Sequence, residues 1–257
     1  MLVDALAHLE DPRVARVSAL LDRAAEAGVH DVICGATDPE AALPAFTHAR
    51  VRVHGACGLH PRVVDAARVS LQLDALAAQI ARARPIAIGE CGLDAREAMP
   101  DLDDQVRALE GAILLARAHD LPVIFHVVRA TERFLDVIAR FEGVRGVVHG
   151  FTGAAEVARA LVERGLFVSF GGAVTDLRAR RARAAARAVP IDRLLVESDT
   201  PDHPAAGLAA SEPSMLPVVV RALAALRGDD EEAVARATAE NARGLFGLPP
   251  SQMGTAR

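Results

Sequence analysis

Side chains able to hold a metal ion or move a proton follow short apolar runs at six separate points of the chain. They are Asp4-Ala-Leu-Ala-His8, Gly58-Leu-His60-Pro, Gly89-Glu90-Cys-Gly-Leu-Asp94, His126, His149 and Glu197-Ser-Asp199-Thr-Pro. Imidazole nitrogens and carboxylate oxygens suit divalent ions of the zinc, manganese or magnesium kind. A carboxylate can bridge two such ions. A pair of ions ~3.5–4 Å apart can activate water and clamp the attacking and leaving oxygens of a phosphodiester. The sequence contains no lysine. Schiff-base chemistry, a phosphate-loop lysine and a carboxylated bridging lysine are therefore excluded, and any bridge must be a carboxylate.

One architecture brings such points together. Strand-like runs fall at Leu2–Ala5, Asp31–Ala36, Val51–Cys57, Ile86–Gly89, Pro122–Phe125, Gly146–Val148, Leu166–Phe170 and Leu194–Glu197. Between them lie Ala/Leu/Arg-rich amphipathic stretches, Val14–Ala27, Leu71–Arg84, Asp103–His119, Thr131–Phe141, Ala155–Glu163 and Leu177–Ala188. Apolar runs without alternation imply strands covered on both faces, hence a parallel sheet under helices. Eight strands, each followed by a helix, predict an α/β fold of the (β/α)8 TIM-barrel type in one domain over residues 1–257. An open doubly wound sheet is the alternative, but no G-x-G-x-x-G follows the first strand. Pro213–Leu226 and Asp230–Phe246 read as closing helices, and Pro249–Arg257 as a frayed end. In a parallel barrel the C-terminal strand ends share one face, so all six points converge there.

Composition narrows the function classes. Half of the 257 residues are apolar and a quarter charged, as in ordinary globular proteins. No apolar run approaches the ~18 residues of a membrane span. The start of the chain, with an early Asp4 and no basic segment, does not read as a signal peptide, so a cytoplasmic location is expected. The three cysteines, Cys34, Cys57 and Cys91, match no zinc-ribbon or disulfide spacing and read as buried small hydrophobes. The net charge of −5 argues against electrostatic coating of nucleic acid, and the lack of Tyr and Trp against a stacking platform built from them. Neither excludes an enzyme that grips phosphates locally.

Several segments together resemble the TatD family of metal-dependent deoxyribonucleases. They are Gly58-Leu-His-Pro61, Ile88-Gly-Glu-Cys-Gly-Leu-Asp94, Leu121-Pro-Val-Ile-Phe-His126, His149-Gly-Phe-Thr-Gly153 and Leu194-Leu-Val-Glu-Ser-Asp-Thr-Pro201, in order over essentially the whole chain. The resemblance implies an amidohydrolase-type barrel, one or two divalent metal ions (zinc, magnesium or manganese), and hydrolysis of DNA phosphodiesters, often from the 3′ end. DNA is then the expected partner. By motif, Glu90 would bridge the metals. His126 and His149 would hold one ion, and His8 with Asp199 the other. Asp199 would also handle the water proton. His60 would approach the phosphate or complete a metal shell, and Arg62 and Arg129 would contact substrate.

The chain departs from the family pattern at several places. Leu6 stands where the first histidine of Asp-x-His-x-His is usual, and Val128 where an arginine follows the fifth-strand histidine. Arg62 replaces a second histidine, and Ala95-Arg96 replaces an aromatic pair. Two other readings therefore stand beside the nuclease: a small-molecule amidohydrolase using the same ligands, and a degenerate barrel kept as a binding subunit.

Overall fold

The computed structural model describes residues 1–249, so the expected fraying past Pro249 lies outside the described residues. Eight parallel strands follow one another in chain order around a single sheet. They are β1 (Leu2–Ala7), β2 (Val29–Ala36), β3 (Arg52–Cys57), β4 (Ala87–Asp94), β5 (Val123–Val128), β6 (Gly146–Val148), β7 (Phe167–Phe170) and β8 (Leu194–Val196). Outside them pack α1 (Val17–Glu26), α2 (Val69–Ala83), α3 (Leu102–Ala118), α4 (Thr131–Ile138), α5 (Ala155–Glu163) and α6 (Arg180–Ala188), then α7 (Leu216–Arg227) and α8 (Glu231–Phe246). Just past β8 the sheet closes on itself: Asp199 N–H donates to the Leu6 carbonyl at 2.9 Å and His8 N–H to the Thr200 carbonyl at 2.8 Å. This is the expected TIM-type barrel.

Two apolar layers hold it. Inside, Val3, Ala5, Leu6, Ile33, Ala56, Ala87, Ile124, Val147 and Leu195 form one cluster, closed from below by Ala242, Leu245 and Phe246 of α8. Their strand neighbours, such as Val32, Ile88, Phe125, Val148 and Leu194, face the helices in the larger outer layer. Successive side chains on a strand point to opposite faces, and here both faces are covered, which is why the runs were continuous rather than alternating. Asp101 and Asp230 start α3 and α8 by accepting from the backbone N–H of Asp103 and Ala233. Among the described residues no helix is long and apolar enough to cross a membrane.

The structure corrects the sequence reading in three places. No helix follows β2: residues 37–51 cross as an irregular segment containing Pro39 and Pro44. Helix α6 starts at Arg180, leaving Leu177–Ala179 in a loop with Leu177 exposed. Most consequentially, β4 and β5 run on past Gly89 and Phe125. Gly92 pairs with His126 and Asp94 with Val128, so Glu90, Asp94 and His126 are strand residues rather than loop residues.

Candidate metal centre

The extended β4–β5 ladder sets the first part of the site. A Cβ built on Gly92 would lie 1.9 Å from the His126 carbonyl oxygen, and one on Gly58 would lie 2.3 Å from that of Glu90. Only glycine permits these backbone approaches. They draw β3, β4 and β5 together directly below Glu90 and His126, and explain the glycines flanking the acidic residue in the sequence. The second part comes from the closing seam, whose hydrogen bonds bring Asp199 beside His8.

Glu90 stands at the centre. It is 2% exposed. Its Oε1 lies 3.0 Å from His8 Nε2, and its Oε2 lies 2.5 Å from His149 Nε2 and 3.4 Å from His126 Nδ1. His126 Nδ1 is also 3.1 Å from His149 Nε2, and His8 Nε2 is 3.6 Å from Asp199 Oδ1. His60, Glu90 and His126 can each present a donor atom within 4.8 Å of the other two. The structure thus contains a His/His/Glu cluster able to coordinate a divalent ion.

The outer ring nitrogens decide which imidazoles are suited to that task. His8 Nδ1 lies 2.8 Å from the Gly35 carbonyl, which can only accept, so a proton sits there and Nε2 is the nitrogen turned toward Glu90. His126 Nε2 faces Asp94 Oδ2 at 3.2 Å, and His149 Nδ1 faces Glu197 Oε1 at 3.5 Å. Each of the three rings thus turns one nitrogen outward toward an oxygen and the other inward toward Glu90, where an ion would take the place of the protons that His8 and His149 share with the carboxylate. His60 is the reverse. Its Nδ1 accepts the backbone N–H of Arg62 at 3.0 Å. A neutral ring then carries its proton on Nε2 and offers a donor, not a lone pair.

The charges agree with this division. Burial works against a proton on His8 and on His149, but the carboxylates outweigh it. Glu90 and Glu10 act on His8, Glu90 and Glu197 on His149, and both rings are raised well above the ordinary histidine value. Burial likewise opposes charge on Glu90, yet His149 and His8 hold it well below the usual carboxylate range. Positive charge is thus strongly favoured among these groups, and a divalent ion supplies it with the same donors. His60 also feels Glu90, but burial, helped by His126, Arg62 and His149, outweighs it and pushes the ring down to about 3, so it stays neutral. Burial raises Asp199 to about 7, with His149 pulling it down and Glu197 and Glu90 adding to the rise.

His8, Glu90, His126, His149, Asp199 and His60 thus come together. Arg62 lines the same cavity as His60, while Arg129 lines an adjoining one. Leu6 is fully buried in the interior cluster beneath His8. A Cβ built on Gly35 would meet Leu6 Cδ1 at 2.8 Å and His8 Cε1 at 3.7 Å. Sequence reasoning missed the outer partners. Asp94 is fully buried and paired with Arg96, and Glu197 is fully buried and accepts from Gly150 N–H at 2.5 Å. Both stood in quoted motifs as acids beside the expected ligands, and that adjacency was the available signal. Ser211 donates to the Ser198 carbonyl at 2.5 Å.

The family model described as TatD related DNase matches residues 3–247. The uncharacterized metal-dependent hydrolase TatD of Mycobacterium tuberculosis is 38% identical, covering 96% of this chain and 98% of that protein. The 3'-5' ssDNA/RNA exonuclease TatD of Erwinia amylovora is 33% identical, covering 89% and 93%. Among solved structures, the TatD homolog YjjV of Escherichia coli superposes with a TM-score of 0.86 at 30% identity, covering 96% of this chain and 98% of that one. With its eight-stranded barrel and a cluster fit for a divalent ion at the mouth, the chain belongs to the TatD family of metal-dependent hydrolases.

Proposed function

We propose that this protein is a metal-dependent deoxyribonuclease that removes nucleotides from the 3′ end of single-stranded DNA. The observation that carries the reading is the common orientation of His8, His126 and His149, each with one ring nitrogen turned outward toward an oxygen and the other turned inward toward Glu90. The exonuclease named above, related over most of both chains, supports the choice of substrate. His126, His149 and Glu90 would hold one divalent ion, and His8, Glu90 and Asp199 a second. Bound there, such ions supply Lewis acidity toward a phosphoryl oxygen and lower the pKa of water.

The chain's own groups do the rest. Asp199 takes the proton of the attacking water. A bond forms from that oxygen to phosphorus, and the bond to the 3′ oxygen of the preceding nucleotide breaks. That oxygen leaves with a proton, giving a shortened strand and a nucleoside monophosphate. His60 donates from Nε2 to the developing phosphoryl charge, and Arg62 and Arg129 hold the substrate on either side of it.

The test is hydrolysis of end-labelled single-stranded DNA by purified protein supplied in turn with magnesium, manganese and zinc. Mononucleotides should appear from the 3′ end, and Glu90→Gln should abolish their release while the fold persists. Full turnover by Glu90→Gln with undiminished metal content would overturn the assignment.

A further inference from the structure

Two cavities open from the barrel mouth, one on each side of the ligand cluster, and His126, His149, Asp199 and His203 form the wall they share. Their chemistry differs. The cavity beside β1, β3 and β4 is about 490 Å³ and polar: Arg62, bonded to Thr37, lines it, while its Arg13 and Arg96 are paired with Asp11, Asp202 and Asp94. The cavity beside β5 and β6 is about 310 Å³ and runs inward to Phe134, Val148, Phe151, Val157 and Leu161. Phe134, Val148 and Leu161 are buried core side chains, so this cavity ends within the fold. Its polar groups, Arg129 and Thr152 among them, are exposed at the rim.

We infer that the apolar cavity is a dead-end pocket for the terminal nucleobase, with the rest of the strand leaving through the larger polar cavity past Arg62. The inference rests on the phosphodiesterase reading and deepens it. Because both cavities share the ligand wall, a diester lying across the ligands places one substituent in each. Hydrocarbon walls exclude a phosphate from the inner pocket and accept the face of a heteroaromatic ring. Ligand pockets start at ~300 Å³, so this one takes a single nucleoside-sized group and no second residue. The aromatic wall is fixed in place. A Cβ on Gly153 would lie 2.7 Å from Phe151 Cζ, and Phe151 meets Phe170 edge-on with ring centroids 6.1 Å apart. In a chain without Tyr or Trp, Phe151 and Phe134 are the phenylalanine surfaces the pocket offers a base. A pocket closed at its inner end admits a strand terminus and not its interior.

Val157→Phe tests the pocket, because it narrows the cavity from α5 without altering a residue of the ligand cluster. Two oligodeoxynucleotides are compared, one ending in an intact 3′ nucleotide and the other in an abasic 3′ sugar. Wild type should favour the intact end by about 10- to 100-fold in kcat/KM, the worth of one stacked base. The preference should collapse in Val157→Phe and in Thr152→Trp, which blocks the rim should the first variant fold poorly. Deoxyadenosine should bind the metal-free wild type, followed by NMR, and lose that binding in the variants. If DNA is cleaved with no preference between the two ends, the pocket is overturned and the nuclease reading stands. If no DNA is cleaved, the nuclease reading falls and nucleoside binding decides the pocket. Binding removed by Val157→Phe supports it, and no binding overturns it.

Discussion

Asp199 donates its backbone N–H to the carbonyl oxygen of Leu6 at 2.9 Å. The position that lacks a ligand side chain is therefore the one that anchors a neighbouring ligand through the backbone. A backbone bond does not depend on the side chain at residue 6. Exchange of histidine for leucine removes one nitrogen yet leaves Asp199 fastened beside His8. Three donors still face one another there, His8 Nε2, Glu90 Oε1 and Asp199 Oδ1. Three protein ligands with an open fourth position is the pattern of catalytic zinc sites.

Leu6→His is expected to destabilise the metal-free protein and tighten its metal binding. Leu6 is fully buried, so an imidazole there without a partner costs about 1–3 kcal/mol. A bound ion gives that nitrogen a partner, and binding to the folded state alone adds stability by mass action. Melting temperatures with chelator and across a zinc titration check this. The variant should melt below wild type with chelator and recover more than wild type on adding metal. Equal recovery would show that residue 6 does not reach the ion.

Asp94→Asn is expected to weaken metal binding or activity by about 10- to 100-fold, the usual cost of losing a partner behind a ligating histidine. Asp94 holds the outer nitrogen of His126 and is itself held by Arg96. Burial works against its charge, but the Arg96 bonds keep its carboxyl below the ordinary range. The amide loses the charge that steadies the ring and leaves Arg96 without its counter-ion. Arg96→Ala should cost less, because Arg96 acts through Asp94. Metal titration of the two variants gives the order.

Much of this was legible before any coordinates. Continuous apolar runs with polar ends gave the barrel, and the motifs gave His8, Glu90, His126, His149 and Asp199, because ligand chemistry is local in sequence. Strand ends were not. Apolar periodicity stops at Gly89 and Phe125, while the ladder runs on through buried polar residues whose hydrogen bonds no pattern reveals. For the same reason Asp94 and Glu197 went unrecognised: their task is defined by ring nitrogens 32 and 48 positions away, at His126 and His149. The tautomer of His60 depends on a backbone N–H, which residue type cannot report.

At the opposite end of the barrel, Asp31→Asn is expected to lower stability by about 3–5 kcal/mol, as when one member of a buried ion pair is removed. The Asp31 side chain is fully enclosed and bonded to Arg52, His54 and Arg243 of α8. Because Arg52 reaches solvent, the lower end of that range applies. Burial opposes the charge on Asp31, but His54 and Arg52 hold its carboxyl below the ordinary value. A depressed folded-state pKa gives stability that is whole above the unfolded value of ~3.9 and is lost as pH falls below it. The gap in melting temperature between wild type and Asp31→Asn should be constant from neutrality to about pH 5 and narrow below about pH 4. A gap unchanged at low pH would mean the amide disturbs packing rather than charge.

His60 offers the sharpest division between holding metal and meeting substrate. Its Nδ1 is occupied by the Arg62 backbone N–H, and burial keeps the ring neutral, so Nε2 presents a proton to the site. A group that donates to charge developing on phosphorus matters in the transition state and little to the resting centre. His60→Ala should therefore retain the metal content and nearly the wild-type KM while losing roughly 100- to 1,000-fold in kcat, the cost of one such donor. His60→Gln keeps an N–H at similar reach and should recover part of that loss. A ligand would behave otherwise: His126→Ala should lose metal, and excess metal should restore some turnover. Elemental analysis with kcat and KM for the three variants separates the two roles. Metal loss in His60→Ala to the extent seen in His126→Ala would place His60 on the ion and reverse the tautomer assigned to it.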